Sequence, residues 1–122
     1  MKIVTKSLLM SLAASVVAMA AAGCASTEPT QRMESTSGAI RAAEEVGAPK
    51  VPQAALYLQL AKEQSDHAKQ LIADGKQEEA SSLLTRAQAD AELAVALVRE
   101  TDDRAAANEA LERVKALRAG SK

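Results

Sequence analysis

The sequence predicts an all-α protein: a short N-terminal helix, a long antiparallel helical hairpin, and a C-terminal helix that is continuous with the hairpin or kinked near residue 101. Three observations predict it. Small and apolar residues recur at alternating spacings of three and four over two long segments, which is the period of one helix face. The breaks between segments carry helix-stop chemistry at Gly47, Pro49 and Gly75, and neither Gly nor Pro occurs between Lys76 and Ala119. With one Tyr, no Phe and no Trp, any core is made of Leu, Val, Ile and Ala. Such a core is thin for a small domain.

The first helix is expected over Gly38 to Val46, with Ser37 before it and Gly47 and Pro49 beyond. Gly just after a helix and Pro slightly further on are stop signals. Ile40, Ala43 and Val46 are spaced to share a face. Pro52 suits the first turn of a second helix, where its missing N–H is no loss. That helix should run to about Asp74 and stop at Gly75. Its stripe is Ala54, Leu58, Ala61, Ser65, Ala68 and Ile72, flanked by Tyr57, Leu60 and Leu71. A third helix should start at Lys76 or Gln77, with the stripe Ala80, Leu84, Ala87, Ala91, Ala94 and Val98. Two matching stripes joined at a glycine turn make an antiparallel hairpin. Alanine on both lets the axes approach near the lower end of the ~8–10 Å range.

The last segment carries a different stripe: Ala107, Ala110, Leu111, Val114 and Leu117. At about 100° per residue it points roughly 160° away from the stripe that ends at Val98. Either the chain breaks near Arg99 to Asp103, with Thr101 capping a fourth helix, or one long helix presents two faces. Continuity is the expectation here. Ala107, Leu111, Val114 and Leu117 are then surplus apolar surface and the candidate partner-binding residues.

Upstream lies an export signature. Lys2 and Lys6 precede an apolar run from Leu8 to Ala22, broken only by Ser11 and Ser15. A basic start, a short apolar stretch and small residues at its end mark a signal peptide, over residues 1–23. The run falls short of the ~20 residues of a membrane-spanning helix. Ala21-Ala22-Gly23-Cys24 resembles the lipobox of bacterial lipoproteins, with Ala21 where that motif usually has Leu. The resemblance implies that the Cys24 thiol takes a diacylglycerol and becomes the new N-terminus. Ordinary cleavage at Ala20-Ala21-Ala22 is the alternative, and it would leave a lone unpaired cysteine in an exported chain. Ala25 after the cysteine looks like the pattern sorted to the outer membrane of Gram-negative cells. Residues 24–38 are then expected to be an acylated cysteine and a disordered tether, since Ala25–Gly38 is rich in Ser, Thr and Glu without periodic apolar positions. Residues 39–119 form the helical domain.

Loss of residues 1–23 removes Lys2 and Lys6, leaving 13 basic against 16 acidic residues and a net charge of −3. That balance, with a single aromatic residue, argues against nucleic-acid binding. His67 is the only histidine and Cys24 the only cysteine, too few ligands for a zinc site, so neither metal nor cofactor is expected. Glu44-Glu45 and Glu78-Glu79 are adjacent on their helices and diverge. Arg41 with Glu45, Lys62 with Asp66, Arg86 with Asp90 and Glu109 with Arg113 are spaced as stabilising pairs of exposed helix faces. No phosphate loop or nucleophile motif occurs, so an enzyme is not expected.

The stretch Gly47–Leu97 resembles the family called domain of unknown function 4398. The matching features are Ala48-Pro49, Ala61 and Ala68 with the turn glycine Gly75, and Ala87-Gln88-Ala89-Asp90-Ala91-Glu92. The resemblance implies a bacterial envelope protein, often a lipoprotein, without assigned catalytic residues. Some members precede a peptidoglycan-binding domain; none follows here, so that activity is not carried over. The expected role is an outer-membrane-anchored periplasmic lipoprotein that serves as a helical interaction or structural module. It would touch the membrane through its lipid, and a protein partner or a second copy through its helical faces. The alternative is an accessory subunit of an envelope enzyme or a small-ligand carrier, which requires a pocket of converging polar groups around His67 or Glu79.

Overall fold

The computed structural model describes residues 29–121. Among the described residues the chain forms three helices: α1 (Pro29–Glu45), α2 (Pro52–Ala73) and α3 (Gln77–Gly120), with a 3-10 turn at Ala48–Lys50 between the first two. The all-α expectation holds, and every connection falls where Gly and Pro were expected to interrupt the pattern.

α3 is the spine. Its buried residues are Ala80, Leu84, Ala87, Ala91, Ala94 and Val98, the whole of the expected stripe. α2 packs antiparallel on it, burying Ala54, Leu58, Ala61, Ser65, Ala68 and Leu71. At the end of that stripe Leu71 rather than Ile72 is buried, although Ile72 still packs against the same cluster. Spacings of three and four are alternatives on a helix of 3.6 residues per turn, and here the step of three, from Ala68 to Leu71, is the one that enters the buried cluster.

The turn between α2 and α3 follows from Gly75. Its φ of 76° is left-handed, a region that costs a side chain about 1 kcal/mol or more. With Gly75 so placed, its N–H donates to the Ile72 carbonyl (3.1 Å) and the Lys76 N–H to the Leu71 carbonyl (2.8 Å). These are the paired bonds of a Schellman ending, which satisfy the last carbonyls of α2. Gly47, at φ 93°, follows the end of α1, and its N–H donates to the Glu44 carbonyl at 3.0 Å.

α1 corrects the sequence reading. Residues 29–38, expected as part of a disordered tether, form the first half of a helix of 17 residues. The rest of the expected tether, Ala25–Glu28, lies outside the described residues, as do the signal segment and Ala21, Ala22, Gly23 and Cys24. Ser, Thr and Gly are weak helix formers because their side chains or backbone favour other conformations. Packing overrides that preference here. Pro29 occupies the first helical position, where its fixed φ is already suitable. Thr36 is fully buried, and its hydroxyl donates to the Leu84 carbonyl at 3.2 Å, so that hydroxyl is not stranded. Met33, read as a tether residue, packs on Ala68, Leu71, Ala80 and Leu84. Met33, Thr36, Ile40 and Ala43 are spaced three, four and three apart, and that periodicity was the available signal. Val46, expected on the same face, is 41% exposed because α1 has already ended at Glu45.

Three-helix packing places α1 parallel to α3 and antiparallel to α2. Arg32 donates to Thr85 (3.1 Å) and the Ser35 hydroxyl to Gln88 (3.1 Å), both on the N-terminal side of Thr36. Lys62 pairs with Glu44 across α1 and α2 rather than with Asp66, which instead takes Lys69 at 2.7 Å. Gln64 donates to Asp90 at 2.7 Å, which ties α2 to α3. The apolar core divides in two. One cluster, Ala43, Ala48, Ala54, Leu58, Ala94 and Val98, lies under the α1–α2 connection, with Tyr57 at its edge. The other lies near Gly75 and centres on Leu84. Alanines bridge the two, so the middle of the bundle depends on close approach of backbones rather than on side-chain bulk.

Candidate interaction surface

α3 runs unbroken through residue 101 and beyond the bundle. Its 44 residues make a rod about 66 Å long. Thr101, a candidate cap for a separate fourth helix, sits mid-helix, and its hydroxyl donates to the Leu97 carbonyl at 2.9 Å. A threonine can turn inward in this way when its backbone N–H already has a helical partner. The chain therefore takes the continuous alternative.

From residue 101 to residue 121 every residue is exposed. Ala107, Leu111, Val114 and Leu117 lie on this free part, as the sequence placed them. Leu111 is 57%, Val114 43% and Leu117 74% exposed. Because the helix does not break, the count of about 100° per residue carries across, and the stripe points away from α1 and α2. Leu93, 40% exposed on the packed part, precedes Leu111 by about five full turns and shares its bearing. One apolar ridge thus runs along the outer side of α3, interrupted by Glu100 and Asp103. What keeps the free part helical is local. Arg104 pairs with Glu100 (2.6 Å), Lys115 with Glu112 (2.7 Å), and Arg113 with Glu109, the last being the i, i+4 pair expected from the sequence. Each such exposed pair contributes a few tenths of a kcal/mol.

The sites weighed for chemistry are dispersed. His67 is exposed on α2 and borders an open depression beside the hairpin turn, together with Leu71, Glu78, Glu79, Ser82 and Arg86. The depression brings His67 and Glu79 to one side of the molecule, but on open surface. Glu78 and Glu79 occupy the first turn of α3, where carboxylates complement the helix dipole. Glu44 is engaged by Lys62, whereas Glu45 is solvated. Among the described residues no group of three or more His, Cys, Asp or Glu is placed to hold a metal ion. No helix among them is long and apolar enough to cross a membrane.

Comparison with known families matches residues 31–110 to the family described as Domain of unknown function (DUF4398). The match takes in α1, α2 and most of α3, and so reaches beyond the hairpin into the segment that corrects the tether reading. No curated protein and no solved structure matches the chain. The match covers well over half of the sequence, and the chain belongs to this family.

Proposed function

We propose that this DUF4398 member is a non-catalytic helical interaction module of the bacterial envelope, held to a membrane by lipid on Cys24 and offering the free end of α3 to a protein partner. The observation that carries the docking half is the uniform exposure of residues 101–121 on an intact helix with a sided apolar stripe. A helix that continues for about 20 residues past its last buried residue, Val98, with Leu and Val along one bearing, is built to be covered. The anchoring half rests on the sequence Ala21-Ala22-Gly23-Cys24 behind a basic and then apolar leader. Two acyl chains or more hold firmly where one holds marginally, at about 0.8 kcal/mol per buried methylene. Ala25 favours the outer membrane, with the bundle facing the periplasm.

Two measurements test the reading. Mass spectrometry of the mature N-terminus should find an acylated Cys24, and Cys24→Ser should move the protein from the membrane fraction to the soluble one. A chain ending after Glu100 should keep its bundle yet lose every crosslinked product formed in intact cells by the full chain. An unmodified thiol in the mature protein would remove the address. Unchanged crosslinking by the shortened chain would remove the docking role.

A further inference from the structure

We infer that the occupant of the α3 ridge is a second copy of this chain, paired antiparallel through the same segment. This rests on the interaction reading above and names its partner. The order of charge along the ridge supplies the first argument. With Ala107 as reference and about 100° per residue, Glu100 and Asp103 fall within about 40° of it toward one end and Arg118 about 20° from it toward the other. Between them the ridge is Ala107, Ala110, Leu111, Val114 and Leu117. The free segment as a whole repeats the asymmetry. Residues 101–112 hold four acidic residues and one Arg, whereas residues 113–122 hold four basic residues and no acid. Those acids begin about seven turns beyond the start of α3, out of range of its dipole. Asp103 and Arg118 form no ion pair among the described residues.

Side-chain size supplies the second argument. Alanines occupy the end of the apolar stripe nearer the bundle, and Val114 and Leu117 the end nearer the tip. An antiparallel pair sets small against large at both ends, which keeps the axes evenly spaced. It also sets each acidic end against Arg118 of the other copy. A parallel pair in register would oppose Asp103 to Asp103 and Leu117 to Leu117, unfavourable in charge and uneven in volume. The bundles raise no obstacle. They lie on the opposite side of α3 from the ridge, and an overlap from Asp103 to Arg118, with each Asp103 facing the other copy's Arg118 over about 22 Å, leaves them at the two outer ends. So narrow a contact belongs at the small end of specific interfaces, and the dimer is weak and reversible.

The test uses the full chain in the cells that produce it, with a photo-crosslinking residue in place of Leu111. The expected product is a pair of copies of this chain, joined tip segment to tip segment. Sedimentation of the same full chain, purified in detergent, should then show Asp103→Arg and Arg118→Asp each weakening the dimer by at least about fivefold. The doubly exchanged chain, D103R/R118D, should recover it. Both positions are exposed, so circular dichroism should show unchanged helix content in every variant. A monomer crosslinked only to a different protein would overturn the self-pairing while leaving the interaction role standing, and a chain that crosslinks to nothing would overturn both. A dimer indifferent to the single exchanges would overturn the antiparallel arrangement.

Discussion

The two parts of α3 are made of similar residues and have opposite circumstances. Between Gln77 and Glu100 four of the six alanines are contact residues: Ala80, Ala87, Ala91 and Ala94 are fully buried, and their lack of bulk admits the neighbouring helices. Beyond residue 101, Ala105, Ala106, Ala107 and Ala110 are all exposed, and within the chain alanine there packs on no neighbouring helix and contributes its high helix propensity. The same residue type thus lines a helix seam in one half and faces solvent in the other. The difference shows that helix continuity alone says nothing about tertiary support.

Substitutions sharpen or break this contrast. The largest effect should come from Leu84→Ala, since Leu84 is fully buried at the centre of its cluster. A loss of about 2–5 kcal/mol is expected, read as a fall in the denaturant midpoint, and in so thin a core that is enough to leave much of the chain unfolded. Leu111→Ala should change the same midpoint by less than about 0.5 kcal/mol. Ala87→Leu comes next, because a larger side chain must push α2 or α1 off α3; about 1–3 kcal/mol is expected by thermal unfolding. At the turn, Gly75→Ala meets no atom within 4 Å of its new Cβ. Its whole effect is then the left-handed backbone, about 1 kcal/mol of destabilisation. Gly38→Ala has the opposite sign. Gly38 lies inside α1, likewise with open space at its Cβ, so the exchange should stabilise by about 0.5–1 kcal/mol. The smallest effect on the bundle should come from Ala107→Pro. Proline should unwind the free segment locally and lower the helical circular-dichroism signal, while the unfolding midpoint of the bundle stays in place. A lowered midpoint would mean that the two parts of α3 are one cooperative unit, and the contrast would fail.

Most of the bundle was legible in the sequence, because its signals are local and repeated. The stripe from Ala80 to Val98 is buried residue for residue, and Gly75 ends α2 by the bonds its conformation permits. α1 was legible only in its second half. Its first half carries Thr36 and Gly38, whose intrinsic preferences point away from helix, and what holds it is a hydroxyl reaching a carbonyl 48 residues away. No composition rule anticipates such a partner. The free face was legible as a bearing, since an offset of about 160° follows from counting residues. Whether it would be covered by a folded-back fourth helix turned on Thr101, and both outcomes were chemically open to that side chain. The exchange of the expected Lys62–Asp66 pair for Lys62–Glu44 has the same origin, as a lysine stem on α2 reaches the neighbouring helix once α1 is there.

The alignment of α1 with α3 has a mechanical consequence. α1 begins beside the hairpin turn, and α3 ends at the opposite extreme. On the proposed reading, an anchor ahead of Pro29 and a partner at the far end would be held apart by one unbroken helix of about 66 Å. Such a molecule would be suited to fixing a separation as much as to making a contact.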